Sequence, residues 1–160
     1  KMTVFDYLLG NTFVQWVIGV LSFGLTIWLA ILLGFNSQGS TILILLVCSL
    51  TILSIIAICL ILVSFCKNAT MVMIVGNFPL FILMFFTGAM IPLPRNEIIA
   101  GFALNDILPP THAVIALNKI FTFGAGFQEI RYELLMLGVL TIIYFSIGIW
   151  LFERNHLLKT

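Results

Sequence analysis

Residues 7–66 read YLLGNTFVQWVIGVLSFGLTIWLAILLGFNSQGSTILILLVCSLTILSIIAICLILVSFC and contain no Asp, Glu, Lys, Arg or His. As a single α-helix this stretch would be about 90 Å long, roughly three times the hydrocarbon thickness of a bilayer. It must therefore fold back on itself. The polar segment NSQGS at residues 36–40 indicates where the chain turns. Two membrane-spanning helices are predicted, at residues 13–35 and 41–65.

Two further uncharged runs follow, at residues 68–94 and 134–152. They predict spans at 71–91 and 134–152. The whole chain is 62% hydrophobic and 8% charged, whereas a soluble domain is about 25% charged, and its mean hydropathy is +1.23. We therefore predict an all-α, polytopic membrane protein with four transmembrane helices in a single domain over residues 1–160.

Residues 95–131, between the third and fourth predicted spans, are too apolar for a solvated loop and too interrupted for a span. They predict two short helices that lie at, or dip into, the outer interface. Asn96 is expected to cap the first and Thr111 the second. The second helix is expected to present an apolar face at helical spacing, made of Val114, Leu117 and Phe121.

The distribution of charge predicts the orientation. One side of a four-span arrangement carries a net charge of +2, from Lys1, Lys67, Arg154 and Lys159 with Asp6 and Glu153. The other carries −1, from Arg95, Lys119 and Arg131 with Glu97, Asp106, Glu129 and Glu133. Lys and Arg are retained in the cytoplasm, so both termini are predicted to be cytoplasmic.

Small residues recur every four positions in the first predicted span, at Ser22, Thr26, Ala30 and Gly34. Such a ridge lets a second helix approach closely in lipid, where the hydrophobic effect provides no driving force for helix association. The spacing predicts a face for helix packing.

Catalytic chemistry is not expected of the spans, because none contains an ionisable acid, base or histidine. Cys48, Cys59 and Cys66 lack metal-ligand spacing, and no Gly-x-x-x-x-Gly-Lys-Ser/Thr motif is present to bind nucleotide. We therefore expect no enzyme activity, metal or cofactor, and any energy must come from a partner. An enzyme at the outer interface that uses Asp106 and His112 remains a minor alternative.

The order of motifs resembles a known family. FTG at residues 86–88 and Pro92 close the third predicted span, and ILPPTHA at residues 107–113 precedes the last one. This arrangement resembles the C-terminal part of a type-2 ABC exporter permease, over nearly all of the chain. The resemblance implies that the four spans are the third to sixth of six, that residues 4–9 end a cytoplasmic coupling region, and that the chain is part of a longer permease.

By the same resemblance, the chain is a permease subunit in a bacterial cell membrane. It would pair with a second permease half, identical or different, and with a separate ABC ATPase subunit; no nucleic acid is implied. Cargo in such systems includes lipids, drugs, antibiotic peptides and glycans. Asn77, Phe78, Thr87 and Gly88 would lie near the substrate route, and the outer helices would shape its exit.

The rival hypothesis is a structural or assembly subunit of a membrane complex that docks through the ridge of small residues and transports nothing. An ATP-dependent change in accessibility along the spans would distinguish a transporter from such a subunit.

Overall fold

The computed structural model describes residues 4–35, 37–66, 71, 81, 84–87, 97–99 and 102–156. Most of these residues are helical, in agreement with the predicted class. The long elements are α1 (Val4–Leu32), α2 (Thr41–Ser64), α3 (Pro109–Phe123) and α4 (Phe127–His156). Two short strands, β1 (Glu97–Ile99) and β2 (Phe102–Ala103), pair antiparallel, and a 3₁₀-helix (Leu104–Ile107) follows them.

In the described part of the chain, three helical segments are long and apolar enough to cross a membrane. They are Leu8–Leu32, Thr41–Ser64 and Phe127–Asn155, of 25, 24 and 29 residues. They overlap the predicted spans at 13–35, 41–65 and 134–152. The predicted span at 71–91 lies almost wholly outside the described residues, although Met71, Phe81 and residues 84–86 are helical.

Two helices begin earlier than the sequence suggested. Helix α1 runs unbroken through residues 10–12, so it joins residues 4–9 to the first span without a break. Gly, Asn and Thr each cost a helix at most about 1 kcal/mol, which the apolar residues around them outweigh. Helix α4 begins at Phe127 rather than at residue 134, since Glu129, Arg131 and Glu133 are compatible with a helix although they interrupt the apolar run.

Gly34 lies outside α1, which corrects its place in the predicted ridge. The helix ends at Leu32, and Gly34 has a φ of +91°. The N–H of Gly34 donates to the carbonyl of Ile31 and that of Phe35 to the carbonyl of Ala30, each at 3.0 Å. This pair of bonds is a Schellman motif, which needs a left-handed residue after the helix. Gly34 therefore ends the helix instead of packing on it.

The outer segment also differs from the prediction. A helix after Asn96 is wrong for residues 97–99 and 102–103, which form the two strands. The β-branched Ile98 and Ile99 favour the extended backbone found there. Helix α3 starts at Pro109 with Leu108 as its N-cap, so Thr111 lies inside the helix and does not cap it. Proline suits the first helical position because it has no N–H to satisfy.

The core forms where α2, α3 and α4 meet. Its buried residues are Ile44, Val47 and Cys48 of α2, Ala113, Ala116 and Ile120 of α3, and Ala125, Ile130, Leu134 and Leu137 in and before α4. Helix α1 packs beside α2, where the indole N–H of Trp16 donates to the hydroxyl of Ser49 over 3.0 Å and Gly19 faces Ile52.

The bundle has two distinct ends. At one, which we call the loop end, the connection before α2 lies against the turn after α3: Gly39 contacts Ile120, and Gly124 faces the carbonyl of Gln38. At the other, the terminal end, the side-chain amide of Asn155 donates to the carbonyl of Ser64 over 3.1 Å. Leu8 and Phe152 line a common cleft there. The first and last described helices thus start and finish at the same end.

Substituting Gly39 tests the docking of the loop end. A Cβ at this position would lie 2.7 Å from the backbone carbonyl oxygen of Ile120, which cannot move aside as a flexible side chain could. We expect Gly39→Ala to destabilise the protein by about 1–3 kcal/mol, as overpacking does, measured by thermal unfolding in detergent. Gly126→Ala is the matched control, because its Cβ would meet nothing within 4 Å. Equal midpoints for the two variants would contradict this packing.

Candidate functional site

Helix α3 runs back alongside the last helix instead of lying across its end. It has 15 residues, about 22 Å, and its start is fixed by the hydroxyl of Tyr144, which donates to the carbonyl of Ile107 over 3.3 Å. Tyr144 lies ten residues into the uncharged run at 134–152, about 15 Å along it. That distance is half of a hydrocarbon core of about 30 Å. We therefore call α3 the re-entrant helix.

Protein groups satisfy the irregular backbone where the re-entrant helix begins. His112 is 1% exposed, and its Nε2–H donates to the backbone carbonyl of Asp106 over 2.9 Å. The hydroxyl of Tyr144 satisfies the next carbonyl, that of Ile107, and Pro109 and Pro110 have no N–H to satisfy. Non-helical backbone at membrane depth is tolerated where it is buried in protein in this way.

This geometry bears on the predicted Asp106–His112 pair. The structure brings the two residues together, but the imidazole bonds to the main chain of Asp106. The other ring nitrogen, Nδ1, is buried and has no hydrogen-bond partner. The ring stands edge-on to Tyr132, with centroids 6.2 Å apart. The arrangement holds the start of the helix in place.

An ion pair fastens the other end of the re-entrant helix to α4. The Nζ of Lys119 lies 2.6 Å from Oε1 of Glu133, with the two side chains 40% and 8% exposed. The second oxygen of Glu133, Oε2, is buried without a partner. Helix α3 ends at Phe123, and its C-cap is Gly124, whose positive φ of 62° suits glycine. The three-residue turn then leads directly into α4.

A groove of about 410 Å³ opens between α1, α2 and the re-entrant helix near the loop end. Its walls are mostly apolar, with three hydroxyl side chains. The lining residues are Phe23, Thr26, Ile27, Ala30, Ile31, Phe35, Ser37, Thr41, Ile44, Leu117 and Phe121. Phe35 and Phe121 meet edge to face at 5.4 Å across it. We call this space the outer groove.

The predicted packing residues separate in the structure. Thr26 and Ala30 line the outer groove, whereas Ser22 is exposed on α1 and its carbonyl accepts the hydroxyl of Thr26 over 2.9 Å. Gly34 belongs to the helix cap described above. Of the predicted route residues, Asn77, Phe78 and Gly88 lie outside the described residues. Thr87 is 6% exposed, and its hydroxyl donates to the carbonyl of Met84 over 3.4 Å.

The apolar face predicted for α3 borders the core and the outer groove, and a neighbouring face of the helix is the most deeply buried one. Ala113, Ala116 and Ile120 are buried against α2 and α4, while Leu117 and Phe121 are partly buried and line the outer groove. The available signal was the repeat of small residues at 113 and 116, which permits close helix approach in a membrane protein. In the part of the chain that the structure describes, no group of three His, Cys, Asp or Glu side chains could hold a metal.

Comparison with known proteins gives one match. A family model described as ABC-2 family transporter protein matches residues 1–150 of this 160-residue chain. No curated protein and no solved structure matches the chain. The match extends from α1 through most of α4 and so includes the outer groove and the re-entrant helix.

The Lys119–Glu133 pair can be tested by a double-mutant cycle. Lys119→Met leaves the Glu133 carboxylate buried and unpaired, so we expect a loss of about 1–3 kcal/mol in unfolding free energy. This is less than for a fully buried pair, because Lys119 is partly exposed. Adding Glu133→Gln removes the stranded charge and should recover part of that loss, a coupling measurable by denaturant unfolding in detergent. Strictly additive effects would mean that the pair does not hold the two helices together.

Proposed function

The chain belongs to the ABC-2 family of transporter proteins and is a permease subunit of an ABC transporter, and we propose that it works in export, with the re-entrant helix shaping the exit. The observation that carries this proposal is the position of α3. It is packed against α2 and α4, with its start about half a hydrocarbon core deep, and it borders the outer groove. An element so placed can close a path along the groove.

The energy source in this proposal is a separate ABC ATPase subunit. The sequence contains no Gly-x-x-x-x-Gly-Lys-Ser/Thr motif with which to cradle phosphates. The protein is an integral membrane protein, as its apolar helices and its family indicate. We place both termini in the cytoplasm of a bacterial cell, since four of the seven Lys and Arg residues fall on the side of the termini in the predicted four-span arrangement. The re-entrant helix then faces the outside.

Differences in packing suggest which parts move. Helices α2, α3 and α4 share one buried cluster, to which α1 contributes only Phe23 and Ile27, both partly buried. In the most apolar 18-residue stretch of α1 no residue is buried, whereas 33% of the residues are buried in the corresponding stretch of α2. We therefore propose that α2, α3 and α4 move as a unit and that α1 moves relative to them. Such a shift would change the width of the outer groove.

A second permease half, identical or different, is proposed to complete the route. Exposed Ser22 on α1 is available for packing against another helix. Asn77, Phe78, Thr87 and Gly88 remain proposed route residues. A structural or assembly subunit that transports nothing is the competing function, and it requires no change in the groove during ATP turnover.

Accessibility of the outer groove to a maleimide tests the export proposal. In full-length permease with Cys48, Cys59 and Cys66 replaced by Ala, Leu117→Cys is reconstituted with the ATPase partner in liposomes. We expect the labelling rate to change by roughly tenfold between the nucleotide-free and ATP-bound states, corresponding to a population shift of about 1.4 kcal/mol.

Two controls make the result decisive. Phe127→Cys, 55% exposed at the start of α4 and outside the uncharged run, should react at the same rate in every nucleotide state. An ATPase whose catalytic glutamate is replaced by Gln should hold Leu117→Cys in its ATP-bound rate and abolish export. If Leu117→Cys labels identically in all states while the permease still exports, the groove is not part of the route. If the reconstituted permease and ATPase export nothing in any nucleotide state, the structural-subunit hypothesis replaces the proposal.

A further inference from the structure

The surroundings of His112 fix where its proton lies. A carbonyl oxygen can only accept a hydrogen bond, so the 2.9 Å contact with the carbonyl of Asp106 places a proton on Nε2. In a neutral imidazole the other nitrogen, Nδ1, then carries a lone pair and no proton. Among the described residues nothing bonds to Nδ1, and His112 is 1% exposed. A second proton would therefore lie on Nδ1, inside the protein and without an acceptor.

The two protonation states of His112 differ in how well they fit this position. The neutral ring leaves one lone pair unpaired, whereas the cation would leave a charged N–H donor unpaired. Burying an unpaired charge costs much more than burying an unpaired neutral group. When the start of α3 leaves its site, Nδ1 meets water and can take up a proton. Acid therefore favours the state in which the start of the re-entrant helix is released.

Other titratable groups lie on each element that packs against α3. They are Asp106 on the 3₁₀-helix, Lys119 on α3 itself, Tyr132, Glu133 and Tyr144 on α4, and Cys48 on α2. Helix α2 contains no Asp, Glu, Lys, Arg or His. The charges of Lys119 and Glu133 offset each other across 2.6 Å. The carboxylate of Asp106 is the remaining group that could stabilise a cation at His112, so its contribution has to be measured by substitution.

We propose that His112 is a pH-sensitive latch on the re-entrant helix. Neutral His112 bonds to the carbonyl of Asp106 and holds the start of α3 against α2 and α4. Once released, the imidazole takes a proton from water at Nδ1, and as a cation it fits the buried position poorly. Histidine ordinarily changes its charge between about pH 5 and pH 8, so the latch is closed at the upper end of this range and opens toward the lower end.

The number of protons bound determines how steep the change is. The released state binds up to one proton more than the latched state, so the ratio of latched to released protein falls by up to about tenfold for each pH unit of acidification. The latch depends on the packing of α3 and not on export, so it stands or falls separately from the function proposed above.

A cysteine at residue 111 reports the state of the latch. Thr111 is 6% exposed, and within the described part of the chain its hydroxyl makes no hydrogen bond, so Thr111→Cys changes little else. The full-length permease, with Cys48, Cys59 and Cys66 replaced by Ala, is held in nanodiscs and labelled with dithiodipyridine. Each rate is divided by that of Phe123→Cys, at a position 79% exposed at the other end of α3, which removes the pH dependence of the thiol reaction. We expect this ratio to rise at least roughly tenfold between about pH 8 and pH 5.

Two substitutions of His112 separate a latch from a merely structural contact. In His112→Gln the amide can donate to the carbonyl of Asp106 but takes up no proton, so the labelling ratio should stay low at every pH. In His112→Ala the bond is lost, and the ratio should be high at every pH. A rise with acid that persists in His112→Gln would overturn the proposal, and so would a flat ratio in the protein that retains His112.

The neighbouring carboxylates are excluded by two further variants. Asp106→Asn keeps the main-chain carbonyl to which the imidazole bonds. Lys119→Met combined with Glu133→Gln removes the ion pair without leaving a charge unpaired. We expect the rise in the labelling ratio with acid to persist in both variants. Its loss in either one would assign the proton to that carboxylate instead of His112 and would contradict the latch.

Discussion

The hydrocarbon interior of a membrane offers no hydrogen bonds to the protein backbone, and this constraint governs the whole arrangement. Three described helices satisfy their own backbone over 24 residues or more. The re-entrant helix cannot do so where it begins, after a 3₁₀ turn. There His112 and Tyr144 bond the carbonyls of Asp106 and Ile107. Because these bonds satisfy its backbone, the start of α3 can lie near the middle of the bilayer. The re-entrant helix then forms the third wall of the outer groove, beside α1 and α2.

Close packing of small residues takes over the role that the hydrophobic effect has in water. Lipid tails are as apolar as leucine, so helices in a bilayer associate through contact area and hydrogen bonds. Ala113 and Ala116 bring the re-entrant helix against α2 and α4. Gly148 does the same for α4, since a Cβ there would lie 3.1 Å from the side chain of Leu60. These contacts join the three helices through one buried cluster, against which α1 packs with the partly buried Phe23 and Ile27.

The sequence predicted the long helices well and their ends poorly. A run of uncharged residues reports membrane depth, so it located α2 within one residue at each end. It does not report hydrogen bonding, so the cap at Gly34 and the charged first turns of α4 were missed. The most buried face of α3 was not predicted, because the prediction weighed large apolar side chains, while the packing depends on small ones. The route residues near position 77 lie outside the described structure, and their role stays a prediction.

Helix α1 forms one wall of both cavities. Residues 11–15 line the cleft at the terminal end that Leu8 and Phe152 share, and residues 23–31 line the outer groove at the loop end. Between them α1 contacts α2, where Trp16 bonds Ser49 and Gly19 meets Ile52. A rod held at an intermediate point can tilt about that point. Tilting of α1 about the Trp16–Gly19 contact would widen one cavity while narrowing the other. If α1 moves relative to the other helices as proposed, this geometry would couple the two ends of the bundle mechanically.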